Sequence, residues 1–482
     1  MFTLPSFFPY KMLIHGEWIE ADNGARQDVF NPGDMTVIGS TAFGGMAETE
    51  RAIVSANNAF PAWKSLLPAE RGKILHRWFE LMNERKEELA QIITLESGRP
   101  IAEARRGIDY AASFIDFFAG EARRVYGETI PTNAGDRRYT VIRQPVGVCA
   151  AITPWNFPSA MVTRKVAAAL AAGCTMVLKP DHRTPYSALA LGQLALDAGV
   201  PPGVFNIVLG PATEIGQYMC AHKLVRKVTF TGSTEVGRIL MEQCAPTIKR
   251  LSLELGGNAP FIICEDADVN MSAQQLVTGK MRNAGQSCVS PNRIMIHEKH
   301  YEDVLKAIVP LMQVMPVGIG SDEKNQVGPL IDRKAVEKVD ALVQDAIKKG
   351  ARCLLGGKPH DAGVNFYSPT ILADITPEME IAAKEIFGPV IAASKFSTDE
   401  EAIARANDSD YGLASYVFTN DYKRQYLYAE QLEYGMVGFN AGVTSTSVTP
   451  FGGVKQSGLG REGSHFGLDE YLTIKSICVA GL

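Results

Sequence analysis

Val146-Gly-Val-Cys-Ala-Ala-Ile152, Thr175-Met-Val-Leu-Lys179, Val204–Leu209, Lys227–Thr231 and Arg250–Leu255 are short, apolar and rich in β-branched residues. Between them lie stretches with the apolar spacing of helices: 159–172, Ser187–Ala198, about 213–221 and Thr234–Cys244. Gly173 and Gly199 end the first two helices, and Pro201-Pro202-Gly203 turns the chain into the third strand. Strand and helix alternating in this way predict a parallel sheet covered by helices, the Rossmann-type architecture that binds dinucleotides.

Outward from this core, residues 46–120 read as helices, over Ala47–Trp63, Pro68–Leu95 and Ile101–Gly120. Tyr139–Arg143 reads as a strand. A second α/β pattern occupies about 260–425, with strands at Pro260–Ile263, near Arg293–Ile296 and near Val390–Ala393. Tyr471–Ala480 reads as a strand that either pairs with another subunit or covers its own core.

The 482 residues suffice for two or three domains, and 46% hydrophobic residues supply a large core. A net charge of −5 without a basic tract argues against nucleic acid as the main partner. Eight scattered cysteines without a Cys-x-x-Cys pair fit a reducing compartment and indicate no zinc ribbon. The first residues, broken by Pro5 and Pro9, do not read as a signal peptide. Val166–Leu178 is too short to span a membrane, so a cytoplasmic protein is expected.

Several motifs bear chemistry. Asn283-Ala-Gly-Gln-Ser-Cys288 places a thiol after a small, Gly-containing stretch, and Glu254-Leu-Gly-Gly-Asn258 places a carboxylate before two glycines. Together they suggest covalent catalysis at sulfur followed by general-base hydrolysis. Thr153-Pro-Trp-Asn-Phe-Pro158 follows the first strand and offers Asn156 as an amide donor to an oxyanion, with a packing turn as the equal alternative. Lys179 ends the next strand, where a lysine binds cofactor ribose or phosphate, or is a surface charge. Phe230-Thr-Gly-Ser233 runs from a strand into a helix, so Gly232 and Ser233 could meet a pyrophosphate. Gly458-Leu-Gly-Arg-Glu-Gly463 matches a dinucleotide-binding pattern, but too little chain follows it for a βαβ unit, and a tight turn is expected. His297-Glu-Lys-His300 has the wrong spacing for a zinc site, and no metal is expected.

These pieces resemble the NAD(P)-dependent aldehyde dehydrogenases over nearly the whole chain. The likeness rests on Pro154–Pro158, Leu178–Pro180, Phe230–Ser233, Leu253–Gly257, Asn283–Cys288, Glu385-Ile-Phe-Gly-Pro389 and Pro450-Phe-Gly-Gly453. The resemblance implies Cys288 as nucleophile, Asn156 and the Cys288 N–H as oxyanion donors, and Glu254 as the base that hydrolyses a thioester. It also implies Glu385 on the nicotinamide ribose, Phe387 near that ring and Lys179 on the adenosine ribose. Thr153, Pro154, Trp155, His182, Gly232, Ser233 and Leu255 complete the cofactor residues it implies. Three parts are implied: a cofactor domain (1–122 and 142–253), a catalytic domain (254–464) and a small β oligomerisation domain (123–141 and 465–482), in a homodimer or homotetramer.

Within the family the chain is most similar to bacterial succinate-semialdehyde dehydrogenases. That likeness implies Arg164, Arg282 and Ser445 as the grip on the distal carboxylate of an acidic aldehyde; a solvated helix position for Arg164 and a structural ion pair for Arg282 are the alternatives. Glutarate semialdehyde, 2-oxoglutarate semialdehyde, broad specificity and a catalytically silent protein also remain open. Many members carry Glu where this chain has His182, followed by Arg183, so NADP is slightly favoured over NAD, with Asp181 weighing against it. Ser290 stands where some members carry a second, redox-switch cysteine, so no such switch is expected.

Overall fold

The computed structural model describes residues 2–481. Its first sheet has eight strands, in the order Glu17–Ile19, Met12–Ile14, Phe205–Ile207, Thr175–Lys179, Val148–Ile152, Val225–Thr231, Arg250–Glu254 and Gly458–Leu459. The middle five run parallel, and the two N-terminal strands and the last are antiparallel additions. The strand order reverses between Val148–Ile152 and Val225–Thr231, and ligands bind beyond the carboxyl ends at such a reversal. Register aligns those ends: Ile152 faces Lys179 and Phe230, and Thr231 faces Glu254.

Burial explains the strand composition. Thr175–Lys179 is buried at every position, as a parallel strand covered on both faces must be. The helix Pro158–Ala172 is also buried along its full length, with proline at its first turn. It packs on Ile101–Glu121, and both lie in one core with Trp63, Trp78 and Phe118. The expected helix Pro68–Leu95 is two helices, Pro68–Glu84 and Lys86–Ser97, broken at Arg85. The N-terminal strands were not expected, because three residues are too few to show a period.

A second sheet of seven strands is ordered Arg352–Leu355, Thr370–Ala373, Val390–Phe396, Pro291–His297, Ala259–Ile263, Ala414–Phe418 and Met436–Phe439. All but the first run parallel. The chain passes from the first sheet to the second through Leu255–Asn258, directly after Glu254.

Leu472–Ala480, Arg137–Pro145 and Glu128–Ile130 form a three-stranded antiparallel sheet. Arg137–Pro145 is one continuous strand, so the boundary expected between 141 and 142 falls inside it. Gly458–Leu459, expected with the catalytic part, pairs with Leu253 and Glu254 in the first sheet. The stretch Gly458–Gly463 is not the tight turn expected: it opens on this strand, Glu462 forms a bridge with Phe451, and a six-residue helix, Ser464–Asp469, follows. Among the described residues, no helix is long and apolar enough to cross a membrane, and no group of three or more His, Cys, Asp or Glu side chains could hold a metal ion.

Candidate active site

Four segments distant in sequence meet around Cys288. The Asn156 Nδ2 donates to the Gln286 carbonyl at 3.2 Å, and the Asn283 Nδ2 donates to the Asn156 carbonyl at 3.0 Å and to that of Gln286 at 3.2 Å. These bonds fasten the cysteine loop to the loop after the first parallel strand. Gln286 is held in turn: its side chain donates to Asn283 and Pro329 carbonyls and accepts from the Ile331 N–H at 2.9 Å. The Arg99 guanidinium donates to the Asn156 carbonyl from the other side.

Glycines permit the closest approaches. A Cβ on Gly257 would lie 2.2 Å from the Cys288 carbonyl oxygen, and one on Gly285 would lie 2.0 Å from that of Gly388. The Glu254–Gly257 turn and the Glu385–Pro389 segment therefore both press on the cysteine loop. The Glu385 carboxylate accepts from the Gly257 N–H at 3.1 Å and ties the two together. Phe387 meets the Trp155 ring edge-on at 5.7 Å.

The titratable groups feel this enclosure. Burial pushes the Cys288 thiol up to about 12, with the Glu385 and Glu254 carboxylates adding to the rise and Arg164 opposing it. Burial, and then the Glu462 carboxylate, hold the Glu254 carboxyl well above its usual range, against Arg164, Lys165 and Arg461. Neither Glu254 carboxyl oxygen has a hydrogen-bond partner, and neither does the Asn156 Oδ1. Burial also brings Glu385 up to about 7, which its bond from Gly257 and the charges of Lys338 and Lys280 oppose. Buried polar atoms without a protein partner are costly, and those of Glu254 and Asn156 are free to take a partner from substrate or water.

A narrow funnel of about 10 Å³ leads to Cys288 between Tyr110, Phe157, Met161, Arg164, Arg282, Ser445 and Phe451. Arg164 is 2% exposed, which removes the solvated-position reading, and pairs with Glu462 at 2.7 Å. Its neighbour Lys165 shares the same carboxylate. Arg164 also lies 3.9 Å from the Phe451 ring centre. Arg282 is not in an ion pair: among the described residues no carboxylate lies within 4.0 Å of it. Its guanidinium rests 4.8 Å from the Phe157 ring and 5.6 Å from that of Tyr110.

A cavity of about 400 Å³ opens at the carboxyl edge of the first sheet, lined among others by Thr153, Pro154, Trp155, Lys179, Gly232 and Ser233. Val236, Ile239 and Leu240 give it an apolar wall. Lys179 is 3% exposed, among the described residues no carboxylate lies within 4.0 Å of it, and burial lowers its pKa. The helix Thr234–Cys244 begins there, its first turn capped by the Ser233 Oγ accepting from the Val236 N–H at 3.4 Å. An apolar wall, an unpaired cation and a helix N-terminus fit a dinucleotide.

Four expected cofactor residues lie outside this lining: Glu385 and Phe387, placed against the cysteine loop above, and His182 and Leu255. His182 is half-exposed, 3.7 Å from Asp181, and the lining residue is Arg183, which grips Asp181 at 2.9 and 3.0 Å and Asp332 at 3.1 Å. Leu255 is buried and covers Gly237. Sequence reading also missed Glu462, Asn283 and Arg99. The signal for Glu462 was present: Arg164 and Lys165 sit in an apolar helix and require a buried anion.

Residues 18–477 match the model of the aldehyde dehydrogenase family. The chain is 50% identical over 474 residues to the NADP-dependent succinate-semialdehyde dehydrogenase of Escherichia coli (strain K12), with 98% of each chain covered. It is 51% identical over 473 residues to a glutarate-semialdehyde dehydrogenase of Pseudomonas putida (strain KT2440), again with 98% of each covered. The crystal structure of an E. coli NADP-dependent enzyme superposes with a TM-score of 0.98 at 51% identity, covering 98% of both chains. The chain belongs to the aldehyde dehydrogenase family.

Proposed function

We propose that this protein oxidises an acidic semialdehyde, succinate semialdehyde before its longer homologue glutarate semialdehyde, to the dicarboxylate, with NADP favoured over NAD. The observation that carries the acidic substrate is Arg282: a guanidinium at the funnel to Cys288 with no carboxylate of its own. An acidic aldehyde supplies that carboxylate, to which the fork of Arg282 donates in bidentate fashion. Ser445 adds a hydroxyl to the same seat. Arg164, bound to Glu462, contributes positive potential and a wall. The relatives named for succinate and glutarate semialdehyde support this class.

The Cys288 thiol passes its proton to water in the funnel, the thiolate attacks the aldehyde carbon, and the carbonyl oxygen becomes an oxyanion. The Asn156 amide and the Cys288 N–H receive that charge; one such donor contributes about 3–4 kcal/mol to the barrier. A nicotinamide held beside Cys288 would supply the hydride acceptor, and loss of hydride from the tetrahedral carbon would leave the substrate as a thioester on Cys288. Glu254, whose oxygens lack protein partners, accepts a proton from water as the water attacks, and the acid departs. Glu385 would hold the nicotinamide ribose and Phe387 would flank the ring. Lys179, Ser233 and the adjacent helix N-terminus hold ribose and pyrophosphate, with Thr153, Pro154, Trp155 and Gly232 shaping the groove. Arg183, which lines the cavity, would meet the 2′-phosphate of NADP.

The first sheet with its helices serves as cofactor domain and the second sheet with its helices as catalytic domain, with the three-stranded sheet, which includes all of Arg137–Pro145, as the assembly element of a dimer or tetramer. Support for assembly comes from the outer strand Leu472–Ala480, whose Ile474 and Val479 are exposed. A cytoplasmic setting suits its eight free cysteines.

Reduced-nicotinamide absorbance decides the reading. Succinate semialdehyde, glutarate semialdehyde and a neutral aldehyde of similar length are each tested with NAD and with NADP. Equal efficiency on acidic and neutral aldehydes refutes the acidic substrate; no turnover with any pair refutes the enzyme.

A further inference from the structure

Outside the funnel lies a larger cavity of about 640 Å³. Phe157 and Arg282 line both spaces and form the neck between them. The outer wall carries Arg106 on the helix Ile101–Glu121 and Lys324 on the loop opposite. Its two carboxylates are already engaged: Glu103 accepts from the Asn283 N–H at 2.9 and 3.1 Å and lies 3.8 Å from Arg99, and Glu323 binds Arg105 at 2.9 Å. Arg106, Lys324 and Arg282 have no carboxylate within 4.0 Å among the described residues. Positive charge thus lines the route from solvent to the neck, although the protein as a whole carries a net charge of −5.

We infer that this outer cavity is an anion-collecting vestibule, with Arg106 and Lys324 as specificity-determining residues that concentrate an acidic aldehyde before Arg282 seats it. The inference rests on the acidic-substrate reading and adds to it a second, outer stage of selection. A cleft of one charge sign raises the local concentration of the opposite ion, and salt erases the effect once the Debye length falls below the separation. Seating at Arg282 is a desolvated contact and is far less sensitive to salt. The two stages therefore differ in their salt dependence.

The test measures kcat/KM for succinate semialdehyde and for a neutral aldehyde of similar length in wild type, Arg106→Glu, Lys324→Glu and Arg282→Ala. Each is read at about 20 mM and about 500 mM salt. Arg106 is exposed and makes no side-chain hydrogen bond, so its variant folds. At a separation of about 9 Å in a water-like dielectric, reversing one charge lowers kcat/KM for the acid about five-fold at low salt. The loss should sit in KM, vanish at high salt and spare the neutral aldehyde. The vestibule is refuted if the neutral aldehyde falls in parallel, if the loss persists at high salt, or if the acid is unaffected. Should Arg106→Glu shift the acid-to-neutral ratio while Arg282→Ala does not, the seat at Arg282 is wrong and the vestibule stands. The opposite pattern keeps the seat and overturns the vestibule.

Discussion

Replacing Arg282 with alanine isolates the carboxylate seat, because no existing ion pair is broken. The guanidinium lies against Phe157 and Tyr110, so a substrate carboxylate reaching it displaces water and not a protein anion. At ~4 Å and an effective dielectric near 20 the attraction is about 4 kcal/mol. Desolvation of both partners takes back part of this, which leaves ~2–3 kcal/mol, the range of a hydrogen bond between charged groups. That corresponds to a fall in kcat/KM of roughly 30- to 150-fold for succinate semialdehyde. Steady-state absorbance, with a neutral aldehyde of similar length run in parallel, gives the ratio directly. Arg282→Lys keeps a point charge without the fork and should recover only part of the loss. If the neutral aldehyde loses as much as the acid, Arg282 holds up the funnel wall and does not bind a carboxylate.

Cys288→Ala abolishes oxidation while cofactor binding, followed by fluorescence quenching, persists. Glu254→Gln retains a single-turnover burst of reduced nicotinamide but slows the steady state by roughly 10²–10⁴; an unchanged steady state excludes Glu254 as the base. Glu385 carries a pKa of about 7, and a ribose hydroxyl donates best to its ionised form. Cofactor affinity should therefore weaken as pH falls through about 7, and in Glu385→Gln titrations this pH dependence should disappear. Glu462→Ala leaves Arg164 and Lys165 buried without their anion and should cost about 3–5 kcal/mol in urea unfolding; a loss below about 1 kcal/mol would mean that water replaces the carboxylate.

The alternating sheet was legible because each parallel strand is buried on both faces and therefore written as an unbroken apolar run between helical spacings. Thr175–Lys179 and Thr234–Cys244 match their expected limits for this reason. The break at Arg85 was not legible, since the apolar spacing continues through it. The site was legible as residue types and not as a constellation. Nothing local in Pro154–Pro158 tells that the Asn156 amide will meet Gln286, 130 residues away, or that Asn283 will clamp both. The same limit applies to His182 and Arg183. Adjacent residues on a loop point differently, and the pairing with Asp332, 149 residues on, places Arg183 in the cavity wall.

The placement of Glu462 explains how a basic neighbourhood and a free catalytic carboxylate coexist. Arg164 and Lys165 both lower the Glu254 pKa, so each acts on it across the site. If either closed on Glu254 directly, the carboxylate would be ionised but locked, a poor acceptor for a proton from water. Glu462 takes both cations instead and, as a like charge, raises the Glu254 pKa in return. Glu254 is thereby left with two oxygens that no protein donor occupies. A carboxylate held above its usual range and kept open to water needs this balance of burial and restrained positive charge. Glu462→Gln tests it at the base itself: with the second carboxylate neutral, Arg164 and Lys165 act on Glu254 unopposed, so the rising limb of the kcat–pH profile should move to lower pH. A limb that stays in place would mean that the cations never communicate with the base.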